Sequence, residues 1–309
     1  MTLITRSAAR SAITLRAQLN IPLRSITSTS PILASKESSS DEVRDPATDP
    51  KQGGEGFLGA LFYGSKAAKA EGLVSGSEGS HSKIVGRGKY VHEKITHNVI
   101  PSRRDEYLEA AEKYYTTLRE RSAELGGVKL TGSWETVIGT VGEFTHILEY
   151  DGYKGYDATS RALRDDKHTQ ALYKAILPHL NSRQHQMIQE FSFWPSAPPH
   201  DSGYPNGGVF EMRTYQLQPG KLLEWEASWR RGLEARRRFV QPVGAFFSQV
   251  GQLHEVHHIW QYPDMESRKK TREQAWSVGS WSDTVQETVK LAQTMKSAIL
   301  VPCKWSPLR

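Results

Sequence analysis

The stretch Val209-Phe210-Glu211-Met212-Arg213-Thr214-Tyr215 alternates side-chain character residue by residue and runs toward a Pro219-Gly220 pair. Alternation of this kind marks a strand with two different faces, and Pro-Gly marks the turn that ends it. A counterpart lies upstream at one constant offset: Val91, Glu93, Thr96, Pro101 and Glu106 match Val209, Glu211, Thr214, Pro219 and Glu224, with Tyr107 opposite Trp225. Further along the offset shortens by six. There Gly132 matches Gly244, Gly139 matches Gly251, Glu143 matches Glu255, His146-Ile147 match His258-Ile259, and Tyr150 matches Tyr262. Trp194 and Trp305 close the series. A register held over so many positions is an internal duplication, with a longer loop in the first copy.

Within the second copy the pattern predicts a strand over Val209–Tyr215, a helix over Leu222–Phe239, and strands Gly244–Val250 and Leu253–Tyr262 around a Gly251-Gln252 turn. Helices are expected over Met265–Trp276 and Thr284–Lys296, then a last strand over Ala298–Cys303. This β-α-β-β-α-β order is the ferredoxin-like unit, whose sheet has helices on one face and leaves the other bare. The fold class expected is therefore α+β. Two tandem ferredoxin-like repeats, at 89–196 and 207–309, would bury their bare faces against each other as a dimeric α+β barrel-type pseudo-dimer.

At these residues the chain resembles the NipSnap family. The resemblance is carried by Phe210–Tyr215 with Pro219-Gly220, by Gly244–Gly251, by His257–Tyr262, by Ser267-Arg268 with Ala275-Trp276, and by Ser306-Pro307-Leu308. In the first copy Glu190-Phe191-Ser192-Phe193-Trp194 is similar too. It is strong over 186–309, moderate over 90–185 and absent before that. The resemblance implies tandem dimeric α+β barrel domains and a mitochondrial setting. It also implies adaptor or scaffold work, in quality control (mitophagy) or vesicle traffic, done through protein–protein surfaces. The family has no established catalytic residues, so none is carried over.

The rest of the 309-residue chain agrees with that setting. Residues 1–36 hold five basic residues (Arg6, Arg10, Arg16, Arg24 and Lys36) and no acidic one. At about 100° per residue, Ile4, Ala8, Leu15 and Leu19 share one helical face and the arginines the other. That is the composition of a mitochondrial transit peptide, with a mature start near Ala34, and it places the chain in the mitochondrion, in its matrix. The bland alternative is a basic arm. Subtracting those five charges from the net +6 leaves the remainder nearly neutral, so the electrostatic footprint of a nucleic-acid binder is missing. Residues 37–88 read as linker, and Phe57–Tyr63 within it as a short helix docking on the body or offered to a partner. No apolar run reaches the roughly 20 residues a spanning helix needs. With one cysteine, Cys303, the chain can form neither an internal disulfide nor a multi-cysteine metal site.

Candidate chemistry is sparse. His254-Glu255-Val256-His257-His258 spells H-E-x-x-H, but zinc peptidases need that pattern on a helix, and here it sits in a strand-favouring run. It reads as coincidence, and no metal is assigned. No Gly-rich phosphate loop occurs, so no cofactor is implied. Glu211, Arg213 and Tyr215 share one strand face, and His258 belongs to the face of the neighbouring strand that also holds Trp260. Two readings stay open. The Glu–Arg pair is a structural ion pair and the histidine a hydrogen-bonded sheet residue, or the four line a pocket for a small anionic or aromatic ligand. The expected place of that pocket is the barrel interior, behind an apolar face (Phe210, Met212, Thr214) packed on helices. Arg230, Arg231, Arg236, Arg237 and Arg238 form one basic helix, either a solvated face or a weak contact with an anionic membrane surface. The leading reading is a non-enzymatic mitochondrial adaptor that binds unidentified proteins and is open to self-association. The alternative is a ligand-binding or oxygenase-like barrel enzyme.

Overall fold

The computed structural model describes residues 89–194, 204 and 208–309. The expected transit segment 1–36, the linker 37–88 and the apolar patch at 57–63 lie outside these residues. In chain order the first elements are β1 Val91–Val99, α1 Arg104–Glu120, β2 Lys129–Ile138, β3 Glu143–Tyr150, α2 Gly152–Asp165, α3 Lys167–Ile176 and β4 Leu180–Glu190. They are followed by β5 Val209–Leu217, α4 Leu222–Arg237, β6 Gln241–Val250, β7 Glu255–Tyr262, α5 Met265–Trp276, α6 Gly279–Lys290 and β8 Ala292–Pro302. Local chemistry sets several of these ends. The Asp264 carboxylate accepts from the Ser267 N–H at 2.7 Å to cap α5, and Asp166 accepts from Thr169 at 2.8 Å to cap α3.

The eight strands form a single closed antiparallel barrel in the order β1-β3-β2-β8-β5-β7-β6-β4, so the described residues leave no sheet edge open. The run β4-β1-β3-β2 recurs as β8-β5-β7-β6, and the ladders β2–β8 and β4–β6 join the two runs. Three apolar clusters follow. One fills part of the barrel interior with Trp134, Ile147, Ile188, Phe210, Met212, Phe246, Ile259 and Leu300. The second lies between the outer face of β1, β3 and β4 and helices α1–α3, with Tyr107, Tyr115 and Phe144. The third lies between β5 and β7 and helices α4–α6, with Trp225, Trp229 and Trp260.

This arrangement reverses the expected faces of β5. Phe210 and Met212 point into the barrel, while Tyr215 packs among the helix tryptophans. The reason is access to partners. Phe210 and Met212 meet the other apolar side chains of the interior, while Thr214 and Gln216 on the same face join Lys94, Gln186, Glu255 and Lys296 further along the barrel. The outer face meets helices whose side chains can supply counter-charges. A second expectation also fails. The final helix ends at Lys290 and not Lys296, and β8 begins at Ala292 and not Ala298. Ala292, Gln293, Met295 and Lys296 are good helix formers, but the ladder to β5 (Tyr215 opposite Met295, Gln216 opposite Thr294) overrides their propensity.

Helices α4 and α6 cross at Gly232, where a Cβ would overlap the Thr284 side chain. Thr284 has little freedom to retreat, since its hydroxyl donates to the Ser280 carbonyl at 2.9 Å. Gly232→Ala is therefore expected to cost about 1–3 kcal/mol of stability through overpacking, against the helix propensity it gains. Urea unfolding of the two proteins measures it; an unchanged or raised midpoint would mean the crossing is looser than described.

Candidate functional site

Glu211, Arg213 and Tyr215 stand at alternate positions on the outer face of β5, and the ladder to β7 sets Arg213 directly opposite His258. The structure thus brings the four candidate residues together, but beneath α4–α6 and not inside the barrel. Glu211 is wholly buried. Arg268 of α5 donates to it twice, Nε to Oε2 at 3.0 Å and Nη2 to Oε1 at 2.8 Å. Arg213 Nη1 donates to Oε1 at 2.9 Å and the Ser297 hydroxyl at 2.8 Å, with Arg272 Nη1 at 3.9 Å. Burial alone would push this carboxyl up, but the hydrogen bonds and charge of Arg268 and Arg213, with Ser297, outweigh it. They hold the group well below the usual carboxylate range.

A fourth guanidinium completes the group. Arg236 of α4 is 2% exposed, donates to Tyr262 Oη at 2.7 Å, and lies over the rings of Trp260 and Trp281 at 4.9 and 5.4 Å. Tyr262 in turn donates to Glu211 Oε2 at 3.3 Å. Arg213, Arg268 and Arg272 thus face one carboxylate and Arg236 joins it through Tyr262, a local surplus of three positive charges. Burial and the neighbouring guanidiniums press the Arg272 pKa downward, Glu211 opposing them.

Next to this group lies a cavity of about 80 Å³, lined by Arg213, Tyr215, Arg236, His258, Trp260 and Arg272 among others. Its rim carries Trp276, Val289 and Met295, all exposed apolar side chains. His258 lies in the wall. Its Nδ1 accepts from Trp260 Nε1–H at 2.8 Å, which places the ring proton on Nε2, and Nε2 is buried with no hydrogen-bond partner among the described residues. Burial, then the charge of Arg213, depress its pKa far below that of a free histidine, so it stays neutral.

Its counterpart His146 is a different kind of residue. It is fully buried, with Nε2 at 2.8 Å from Tyr107 Oη and Nδ1 at 2.9 Å from Ser133 Oγ, a satisfied sheet histidine. The H-E-x-x-H run lies on β7 and its preceding turn. His254 is exposed there with φ 60°, while His258 is buried four residues on, about 13 Å along a strand. Two imidazoles so placed cannot share one ion. Among the described residues no three His, Cys, Asp or Glu side chains converge as a metal site. Cys303 is buried and its thiol is pushed up to about 12, chiefly by burial.

Three members of the site escaped the sequence reading. Arg236 was grouped with a solvated basic face, but it continues the inward stripe Trp225, Trp229, Leu233, and that spacing is the signal that could have found it. Of its neighbours, Arg231 and Arg237 pair outside with Glu287 and Glu234, and Arg230 reaches the buried Glu226. Arg268 and Arg272 are four apart on α5, on one helix face.

The likeness to known proteins agrees with this architecture. A NipSnap family profile matches residues 210–307. The protein NipSnap of Drosophila melanogaster is 30% identical over 278 residues, 89% of this chain and 97% of that one. The chain belongs to the NipSnap family. A Caenorhabditis elegans NipSnap protein is 32% identical over 82% of this chain, which spans about half (47%) of that relative's length. Among solved structures, a proposed monooxygenase from Lactobacillus acidophilus superposes with a TM-score of 0.52 at 11% identity, over 70% of this chain and 95% of that one. At that identity the likeness shows the fold alone and leaves catalytic activity undecided.

Replacing Glu211 by Gln leaves Arg268 and Arg213 without their anion in a buried site, which should cost about 3–5 kcal/mol at neutral pH. Because the folded pKa is depressed, the carboxylate's contribution is complete above its unfolded pKa near 4.3 and is lost as pH falls below that toward the folded value. The stability gap between the wild type and Glu211→Gln should therefore narrow on acidification below about pH 4. Denaturant titrations at pH 7 and at the lowest pH where both fold measure it; a gap independent of pH would contradict the ion-pair account.

Proposed function

We propose that this NipSnap protein binds a small molecule with an anionic head and an apolar or aromatic body in the cavity under α4–α6. The carrying observation is the surplus of arginines: three guanidiniums face one buried carboxylate and a fourth, Arg236, joins it through Tyr262, so the partly buried cluster is left short of negative charge. A carboxylate, sulfonate or phosphate would supply it. A cavity of about 80 Å³ suits the head group, and the exposed Trp276, Val289 and Met295 at its rim suit the body. A planar head can take paired donors from a guanidinium. A surface-acting adaptor, the role the family resemblance implies, needs no such cavity, which is why ligand binding is preferred here. The oxygenase-like form of the reading, in which the bound molecule is oxidised, rests on fold likeness alone.

The same reading includes the chain's origin and address. The recurring strand order and the shared offsets support a barrel made by tandem duplication, two ferredoxin-like units standing as a pseudo-dimer. The basic, acid-free residues 1–36 support delivery to the mitochondrial matrix.

Calorimetric titration of the full chain with 2-naphthoate tests the site. Binding should weaken with added salt and fall roughly ten- to a hundredfold in Arg272→Ala, the loss of one charge-assisted contact. Absence of saturable binding, or an unchanged affinity in Arg272→Ala, would overturn the assignment.

A further inference from the structure

The first half has a helix–sheet cavity of its own, about 510 Å³, between β1, β3 and β4 and helices α1–α3. Its chemistry is not that of the second half. Glu93 occupies the position of Glu211, and Tyr150 that of Tyr262, but Ile95 and Leu118 stand where Arg213 and Arg236 stand. Deprived of guanidiniums, the Glu93 carboxylate takes its hydrogen bonds from Tyr150 Oη at 2.6 Å and from His185 Nδ1–H at 2.7 Å. That second bond fixes the histidine. With Nδ1 donating to Glu93, the neutral form of the ring offers its opposite nitrogen, Nε2, as an acceptor, and among the described residues nothing donates to it.

The walls are aromatic and aliphatic: Tyr114, Tyr150, Tyr156 and Tyr173, with Leu148 and Leu163. A volume several times the roughly 150 Å³ that holds benzene admits two fused rings. The lining carries charge of both signs, Glu93 against Arg164, with Arg183 5.4 Å from the centroid of the Tyr173 ring, so its charges offset one another and the site as a whole calls for neither an anion nor a cation. What fits is a neutral ring system with one hydrogen-bond donor.

We propose that this cavity is a second ligand site, selective for neutral hydroxyaromatic molecules, whose hydroxyl donates to His185 Nε2 while the rings lie among the tyrosines. It is independent of the anion site in the second half. Each half of the barrel thus keeps a carboxylate in the same place, and its neighbours decide the ligand: arginines call for an anion, histidine and tyrosine for a neutral donor.

The probe is 2-naphthol, titrated into the full chain at neutral pH, with thermal melting of each variant as the check on folding. Saturable binding is expected, weakened about tenfold in His185→Phe by loss of one hydrogen bond. It should be abolished in Leu163→Trp or Ser160→Trp, which fill the cavity from α2, and unchanged in Arg272→Ala. Absence of saturable binding, full affinity in either folded tryptophan variant, or a loss in Arg272→Ala would overturn the proposal. Failure of the anion site shows separately, as 2-naphthoate that does not bind while 2-naphthol does.

Discussion

A carboxylate without access to water is stable only where cations and hydrogen-bond donors replace its lost hydration, and Glu211 is such a group. Its ring of donors draws on β5, β7, β8 and α5 at once, through Arg213, Tyr262, Ser297 and Arg268. The constraint therefore runs across the whole second half. The strand must present Glu211 outward, the barrel must be filled from its other face by Phe210 and Met212, and α5 must lie where its arginines reach the sheet. Because the arginines outnumber the carboxylate, the arrangement that stabilises the fold is also the one on which the proposed anion site rests.

Comparison of the two halves shows how much of that is backbone and how much is side chain. Both keep a Glu on the first strand and a His and a Tyr on the third, on the outer face of the sheet. His146 has both ring nitrogens paired, whereas His258 keeps Nε2 unpaired beside the cavity. The proposed duplication and the two proposed ligand sites account for a shared scaffold with divergent linings.

The sequence made some of this legible. Alternation in Val209–Tyr215, the Pro-Gly turn and the constant offset sufficed for β5 and β7, for α5 and for the α+β barrel. The faces of β5 were not legible, because alternation says that two faces differ without saying which one meets helices. The end of α6 was hidden for a related reason, since Ala292–Lys296 have helical propensity and only the ladder to β5 makes them strand. Within the site, residues on one strand were found together. Arg236, Arg268 and Arg272 come from two helices far off in sequence, and nothing local marks them as neighbours of Glu211.

The surplus of partly buried guanidiniums is proposed to be an anion site and not only a structural cluster. A crystal structure of the chain with 2-naphthoate tests it most directly. The account predicts the carboxylate group within hydrogen-bond distance of Arg272 and Arg236 (about 2.7–2.9 Å), with the rings against Trp276. A ligand seated in the barrel interior or among the tyrosines of the first half, with the arginine cavity holding only water, would contradict it.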